Sequence, residues 1–189
     1  LWAYAWFPSW WSVIPFMIYG VLYASASDSR WHESGHGTAF KTDWLNNALY
    51  EISSFMVLRE SVPWRYSHTR HHSDTIIVGR DPEIHVPRPP DIKTMLLKFV
   101  NFQAFRRALF NITLHCFGRV NAEEATYLPK SQYPAMFLRA RIYAAIYLAL
   151  FGLCLYYRTW LPFLFVLGPN IYGGWLMVLY GWTQHAGLA

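Results

Sequence analysis

Charge in this chain is confined to the middle, and that constrains the fold more than any other feature. No Lys, Arg, Asp or Glu occurs in residues 1–27 or 159–189, while all 11 acidic and 13 of the 16 basic residues lie between Asp28 and Lys130. Neither a disordered chain nor an ordinary water-soluble domain segregates charge in this way. A helix needs roughly 20 apolar residues to cross a bilayer core. Three stretches approach that length: 11–27, 138–157 and 160–182. Only Arg158 and Thr159 separate the last two, which predicts a tight helical hairpin. Pro162 suits the first turn of its helix, and Gly168-Pro169 is expected to kink it. Residues 1–6 read as the end of an earlier span. The fold class is therefore all-α: polytopic membrane helices, with the polar block of about 28–137 as a helical cap on one side.

Orientation follows from the bases. With Arg139 and Arg141 counted beside the polar block, 15 of the 16 Lys and Arg residues fall on one side, and only Arg158 sits in the opposite turn. The positive-inside rule makes the large side cytoplasmic. The net charge of +5 is accounted for in this way, and nucleic acid is not an expected partner. Within the block, 44–58 and 95–109 carry their apolar residues on one face. Met95, Leu96, Phe99, Val100 and Phe102 oppose Lys93, Lys98, Arg106 and Arg107, the pattern of a helix on a membrane surface or of a soluble cap. Pro87-Arg88-Pro89-Pro90 reads as an extended linker or turn. Trp6, Trp10, Trp11, Trp160, Trp175 and Trp182 fit an interfacial aromatic belt. Cys116 and Cys154 form no disulfide framework. A chain that begins with Leu inside an apolar run and ends without a polar tail is expected to be an internal piece of a longer protein.

The eight histidines are not scattered. His32 and His36 stand in His32-Glu33-Ser34-Gly35-His36, and His68, His71 and His72 stand in His68-Thr69-Arg70-His71-His72. On a helix, residues four apart share a face, so each pair can present two imidazoles to one ion, and the second cluster offers a third nitrogen. Imidazole suits Zn, Cu, Fe and Ni, with its second nitrogen held by an outer partner. Asp28, Glu33, Asp43, Asp74 and Asp81 flank the clusters and are candidates for that role. The chain crosses out and back after the clusters, which returns His185 to their side of the membrane. The predicted metal ligands are His32, His36, His68, His71, His72 and His185. His85, beside the Pro-rich turn, is not expected to ligate, and His115 is expected to serve packing.

Two metal chemistries fit. His32-Glu33-Ser34-Gly35-His36 matches HExxH, in which two histidines bind zinc and Glu33 is the general base of a metalloprotease. A catalytic zinc uses only three protein ligands, which leaves most of the histidines idle. Two metal ions sharing the imidazoles account for the set better. A non-catalytic metal-binding or transport protein is a further alternative.

These boxes resemble those of the integral-membrane fatty acid desaturase and hydroxylase superfamily, which includes alkane monooxygenases. Its HxxxH and HxxHH boxes match His32/His36 and His68/His71/His72. The stretch Gln184-His185-Ala186-Gly187-Leu188 looks like the family's single-histidine segment. Ser29 to Thr38 looks like bacterial members, in which Cys is common at the position of Ser34. The family's third box, a final HxxHH, does not occur in the 189 residues, so the resemblance describes a parent protein and implies an inactive fragment. It implies a non-haem diiron centre and O₂-dependent desaturation of a fatty acyl chain or related lipid, with lipid or alkane hydroxylation as the alternative on the same scaffold. It further implies an external electron donor, a ferredoxin or a cytochrome, since the chain carries no flavin, haem or iron–sulfur motif.

Overall fold

Phe16, Gly20, Ala24, Ser27, Trp31 and Ser34 recur at three- and four-residue spacing, which draws one stripe along a helix. The computed structural model describes residues 1–84 and 91–185, apart from the side chains of Thr94, Met95, Trp182, Gln184 and His185. There, α1 (Trp2–Ala5) and a 3₁₀ turn (Trp10–Ser12) lead into α2 (Val13–Gly35), in which all six stripe residues are buried. Ile14, Ile18 and Leu22 lie on another face of α2 and are exposed. At 23 residues, α2 is about 34 Å long. The sequence suggested a span at 11–27 followed by a separate polar block, but the helix continues without a break into the first histidine box.

The remaining helices are α3 (Asp43–Met56), α4 (Ser61–Asp74), α5 (Ile92–Lys98), α6 (Phe102–Cys116), α7 (Tyr133–Tyr156), α8 (Leu161–Val166), α9 (Pro169–Tyr172) and α10 (Trp175–His185). Every regular element among the described residues is helical, as the sequence predicted. The patch at 44–58 is α3. The patch at 95–109 divides into α5 and α6 at Asn101, whose φ is +50°. Leu96, Val100 and Phe102 are exposed, and the buried residues of α6 are Phe105, Ile112 and His115. The Pro-rich turn and His85 lie outside the described residues.

Among the described residues, one helical stretch is long and apolar enough to cross a membrane, Lys130–Tyr156, with mean hydropathy 1.6. Only 17% of its apolar window is buried, so most of its apolar surface faces outward among the described residues. Leu148, Phe151 and Leu155 are exposed along it. The stretch 160–182 is not one kinked helix. It breaks at Gly168, as Gly168-Pro169 suggested, and again at Gly173-Gly174.

The second break has a packing reason. A Cβ at Gly173 would overlap the backbone of Gly20, and one at Gly20 would overlap the Tyr172 ring. Two glycines thus bring the α9–α10 junction onto α2, the close backbone approach that small residues permit between membrane helices. A larger cluster of Leu58, Phe105, Ile112, Ala140, Tyr143 and Leu167 joins α6, α7 and the segment after α8. A smaller one of Trp31, Tyr50 and Val57, with Trp64 against it, lies beneath the histidines.

Candidate metal centre

Two helix ends carry the histidines. His32 occupies the last turns of α2, and His36 is its C-cap, with its N–H donating to the His32 carbonyl at 3.1 Å. The chain then turns away at Gly37, whose φ of +74° favours glycine. Asn46 on α3 fixes that turn. Its Nδ2 donates to the carbonyls of Gly37 (3.0 Å) and Phe40 (2.8 Å), and its Oδ1 accepts from the Phe40 N–H (2.9 Å). His68, His71 and His72 lie on α4.

The two boxes meet. His68 Nε2 lies 3.2 Å from His36 Nε2 and 3.2 Å from His72 Nε2. With His32 included, one nitrogen from each of four imidazoles lies within 4.8 Å of the others. Nitrogens bound to one ion at about 2.1 Å sit about 3.0–3.4 Å apart, so this spacing suits a metal. The His71 ring centroid is 5.6 Å from that of His72 and 5.9 Å from that of His68. His185 belongs to α10, but its side chain lies outside the described residues.

Carboxylates hold the outer nitrogens. His71 Nδ1 is 3.0 Å from each oxygen of Asp81, and His68 Nδ1 is 3.3 Å from Glu83 Oε2. That arrangement turns Nε2 of His68 toward His36 and His72. Asp81 is held in turn by the N–H groups of Ile76, Glu83 and Ile84. Burial raises the pKa of Asp81, but those backbone donors and His71 outweigh it and bring the carboxyl below its ordinary range. At Glu83, burial likewise opposes ionisation, and the His68 hydrogen bond with nearby Arg59 brings the pKa down. Burial lowers the pKa of His32 and of His72, and the neighbouring imidazoles lower both further. Neutral rings are the form that ligates.

Of the acids flagged in the sequence, Asp81 holds a box histidine. Asp28 instead pairs with Arg59 at 2.5 Å, Asp74 with Arg70 and Arg80, and Asp43 opens α3. Glu33 is exposed and accepts from Thr38 Oγ1 at 2.8 Å. Glu83 was not foreseen, although it stands two residues past Asp81 in the same acid-rich turn. Below the boxes, the Trp31 ring packs on His68, with centroids 4.9 Å apart, and on Tyr50. The Arg59 guanidinium lies 4.2 Å from the Trp31 centroid.

His115 does more than pack. It is fully buried, with Nδ1 2.7 Å from Glu60 Oε2 and Nε2 2.7 Å from Glu124 Oε2. Burial alone would lower its pKa, but the two carboxylates push it up to about 9. Its nitrogens face opposite partners, so this is a charge clamp and not a second metal centre.

A sequence profile described as Fatty acid desaturase matches residues 8–189. The chain belongs to the fatty acid desaturase family. This desaturase-family chain is 31% identical over 106 residues to the omega-6 fatty acid desaturase, endoplasmic reticulum isozyme 1, of Glycine max, covering 54% of the chain and 27% of that protein. It is 29% identical over 111 residues to a Delta(12)-acyl-lipid-desaturase of Punica granatum, covering 59% and 27%. A bifunctional fatty acid conjugase/Delta(12)-oleate desaturase from the same plant is 35% identical over 83 residues, covering 44% and 21%. The chain thus spans about a quarter of the length of these relatives. No solved structure matches it.

Proposed function

We propose that this chain is the histidine-box core of a membrane desaturase that introduces a double bond into a fatty acyl chain with O₂. The observation that carries the reading is the convergence of four imidazoles from two separate boxes within 4.8 Å. The desaturase names of the relatives favour this reaction over hydroxylation. A general base at Glu33 gains no support, since the Glu33 carboxylate is bonded to Thr38.

The residues present fit two iron ions: the donor set is imidazole nitrogen, and its outer nitrogens are held by carboxylates. His32, His36, His68, His71, His72 and His185 would hold the metal. When bound, iron supplies O₂ activation strong enough to remove hydrogen from an unactivated C–H bond. The protein's own share is positional. Asp81 and Glu83 set the ring orientations of His71 and His68, Asn46 locks the turn behind His36, and Trp31 backs His68 on its apolar side. Electrons come from an external ferredoxin or cytochrome at the basic cytoplasmic face. The first part of α2, the whole of α7 and the broken segment α8–α10 cross the bilayer, with the histidine boxes cytoplasmic.

Metal analysis of the intact protein tests this reading. About two irons per chain are expected, together with an unsaturated lipid product. One zinc per chain, or a hydroxylated product, would overturn it.

A further inference from the structure

His68 is the hub of the imidazole cluster, and its outer carboxylate is held differently from that of His71. Asp81, on a short side chain, is fixed by three backbone N–H groups. The Glu83 side chain has one more rotatable bond. Among the described residues, no backbone N–H donates to its carboxylate; the oxygens divide instead between two neighbouring residues of α4. Oε1 accepts from the Ser67 hydroxyl at 3.2 Å, and Oε2 lies 3.3 Å from His68 Nδ1. A carboxylate held at one oxygen can swing about that contact, whereas one held at both is fixed in its plane. Ser67 therefore supplies for Glu83 what the main chain supplies for Asp81.

The serine gives up a local bond to do so. Within a helix, Ser and Thr hydroxyls commonly bond the carbonyl four residues back. On α4, Thr69 donates to the Arg65 carbonyl at 2.9 Å and Ser73 to the Thr69 carbonyl at 3.3 Å. Ser67 is only 4% exposed, and its hydroxyl goes to Glu83 and not back to Pro63. A hydroxyl has one proton to donate, so the contact with Glu83 uses it.

A neighbouring turn keeps this face of α4 in place. The 3₁₀ turn Glu124–Thr126 is tied to the helix by Arg70, which donates to the Thr126 carbonyl at 3.2 Å and to its Oγ1 at 2.9 Å. Tyr127, next in the chain, reaches Ser67 with its hydroxyl. Orientation matters most at this ring. His68 Nε2 lies 3.2 Å from the Nε2 atoms of both His36 and His72, so rotating it disturbs two contacts at once.

We propose that Ser67 is a positioning residue for the metal centre. By holding Oε1 of Glu83 it aims Oε2 at His68 Nδ1, and so aims His68 Nε2 at the ion. The assignment rests on the metal-centre reading above and adds a residue, outside the histidines and their carboxylates, that the centre depends on.

Co²⁺ titration of the intact, metal-stripped protein tests this without turnover. Affinity is read from competition with a chelator, and ligand geometry from the visible d–d bands. Ser67→Ala should lower affinity about tenfold, the scale of a lost outer partner, and shift the bands. Ser67→Thr keeps the hydroxyl and should restore affinity to within about twofold of wild type. Glu83→Ala should lose at least as much as Ser67→Ala. Adding Ser67→Ala to Glu83→Ala should cost less than about twofold more, because the serine then has no carboxylate to hold. A serine with a structural role alone would lower the thermal midpoint of the metal-free protein and leave affinity and bands unchanged. That result overturns the proposal, as does a full tenfold loss from Ser67→Ala in the Glu83→Ala background. A wild type that binds no Co²⁺ overturns the metal-centre reading itself and this proposal with it.

Discussion

At the residue scale, a box histidine needs its outer partner as much as its own ring. Asp81 is 2% exposed and spends both oxygens on His71 and on three backbone N–H groups. Asp81→Asn keeps the shape but removes the charge that orients the ring. Loss of such a partner costs about 10–100-fold in metal affinity, so iron retention under chelator competition is expected to fall by that factor while helical content stays unchanged. Removing a ring from the four-nitrogen knot goes further: His72→Ala should bring iron below one equivalent per chain. The histidines themselves were legible because i, i+4 spacing is a local property. Their outer partners were only half legible. Asp81 and Asp28 look alike as flanking acids, and what separates them is that Arg59, from the α3–α4 connection, reaches Asp28.

At the scale of elements, glycines and a buried charge set how helices meet. Gly173→Ala pushes a methyl into the backbone of Gly20. Overpacking of this kind costs about 1–3 kcal/mol, and thermal unfolding in detergent should show a lower midpoint. Gly152, on α7, meets nothing within 4 Å, so Gly152→Ala should be neutral or stabilise by up to about 1 kcal/mol. The His115 clamp joins α6, the start of α4 and the 3₁₀ turn Glu124–Thr126. Its pKa is raised to about 9 from the ordinary imidazole value of 6.5. The folded state therefore holds the proton more tightly, and this stabilisation is full below pH 6.5 and lost as pH rises through about 9. Burial raises the pKa of Glu60 as well, which acts with the same sign at lower pH. The unfolding midpoint should drop across that upper window, and His115→Gln should flatten the drop while lowering stability throughout. Sequence reading assigned His115 to packing because its two carboxylates stand 55 and 9 residues away. By contrast, the break at Gly168 was legible from Gly168-Pro169, whereas the one at Gly173 depends on where α2 passes.

At the scale of the whole molecule, segregated charge and the positions of the boxes make one demand on topology. The basic residues around Arg65 and Arg139 lie at one end of α7, and Arg158, with φ of +51°, makes the turn at the other. The 24 residues of α7 extend about 36 Å, against a hydrocarbon core of about 30 Å. For His185 to join the four-imidazole knot, α8, α9 and α10 must bring the chain back to the side it left. Single cysteines placed in a Cys116→Ser/Cys154→Ser background and probed with an impermeant maleimide in sealed, oriented vesicles test this. Arg65→Cys and Thr183→Cys should label from the cytoplasmic side and Arg158→Cys only from the other. Labelling of Thr183→Cys from the side opposite Arg65→Cys would separate α10 from the boxes by topology and remove His185 from the proposed ligand set. The four-imidazole cluster itself would stand, because α2 and α4 form it without any contribution from α10.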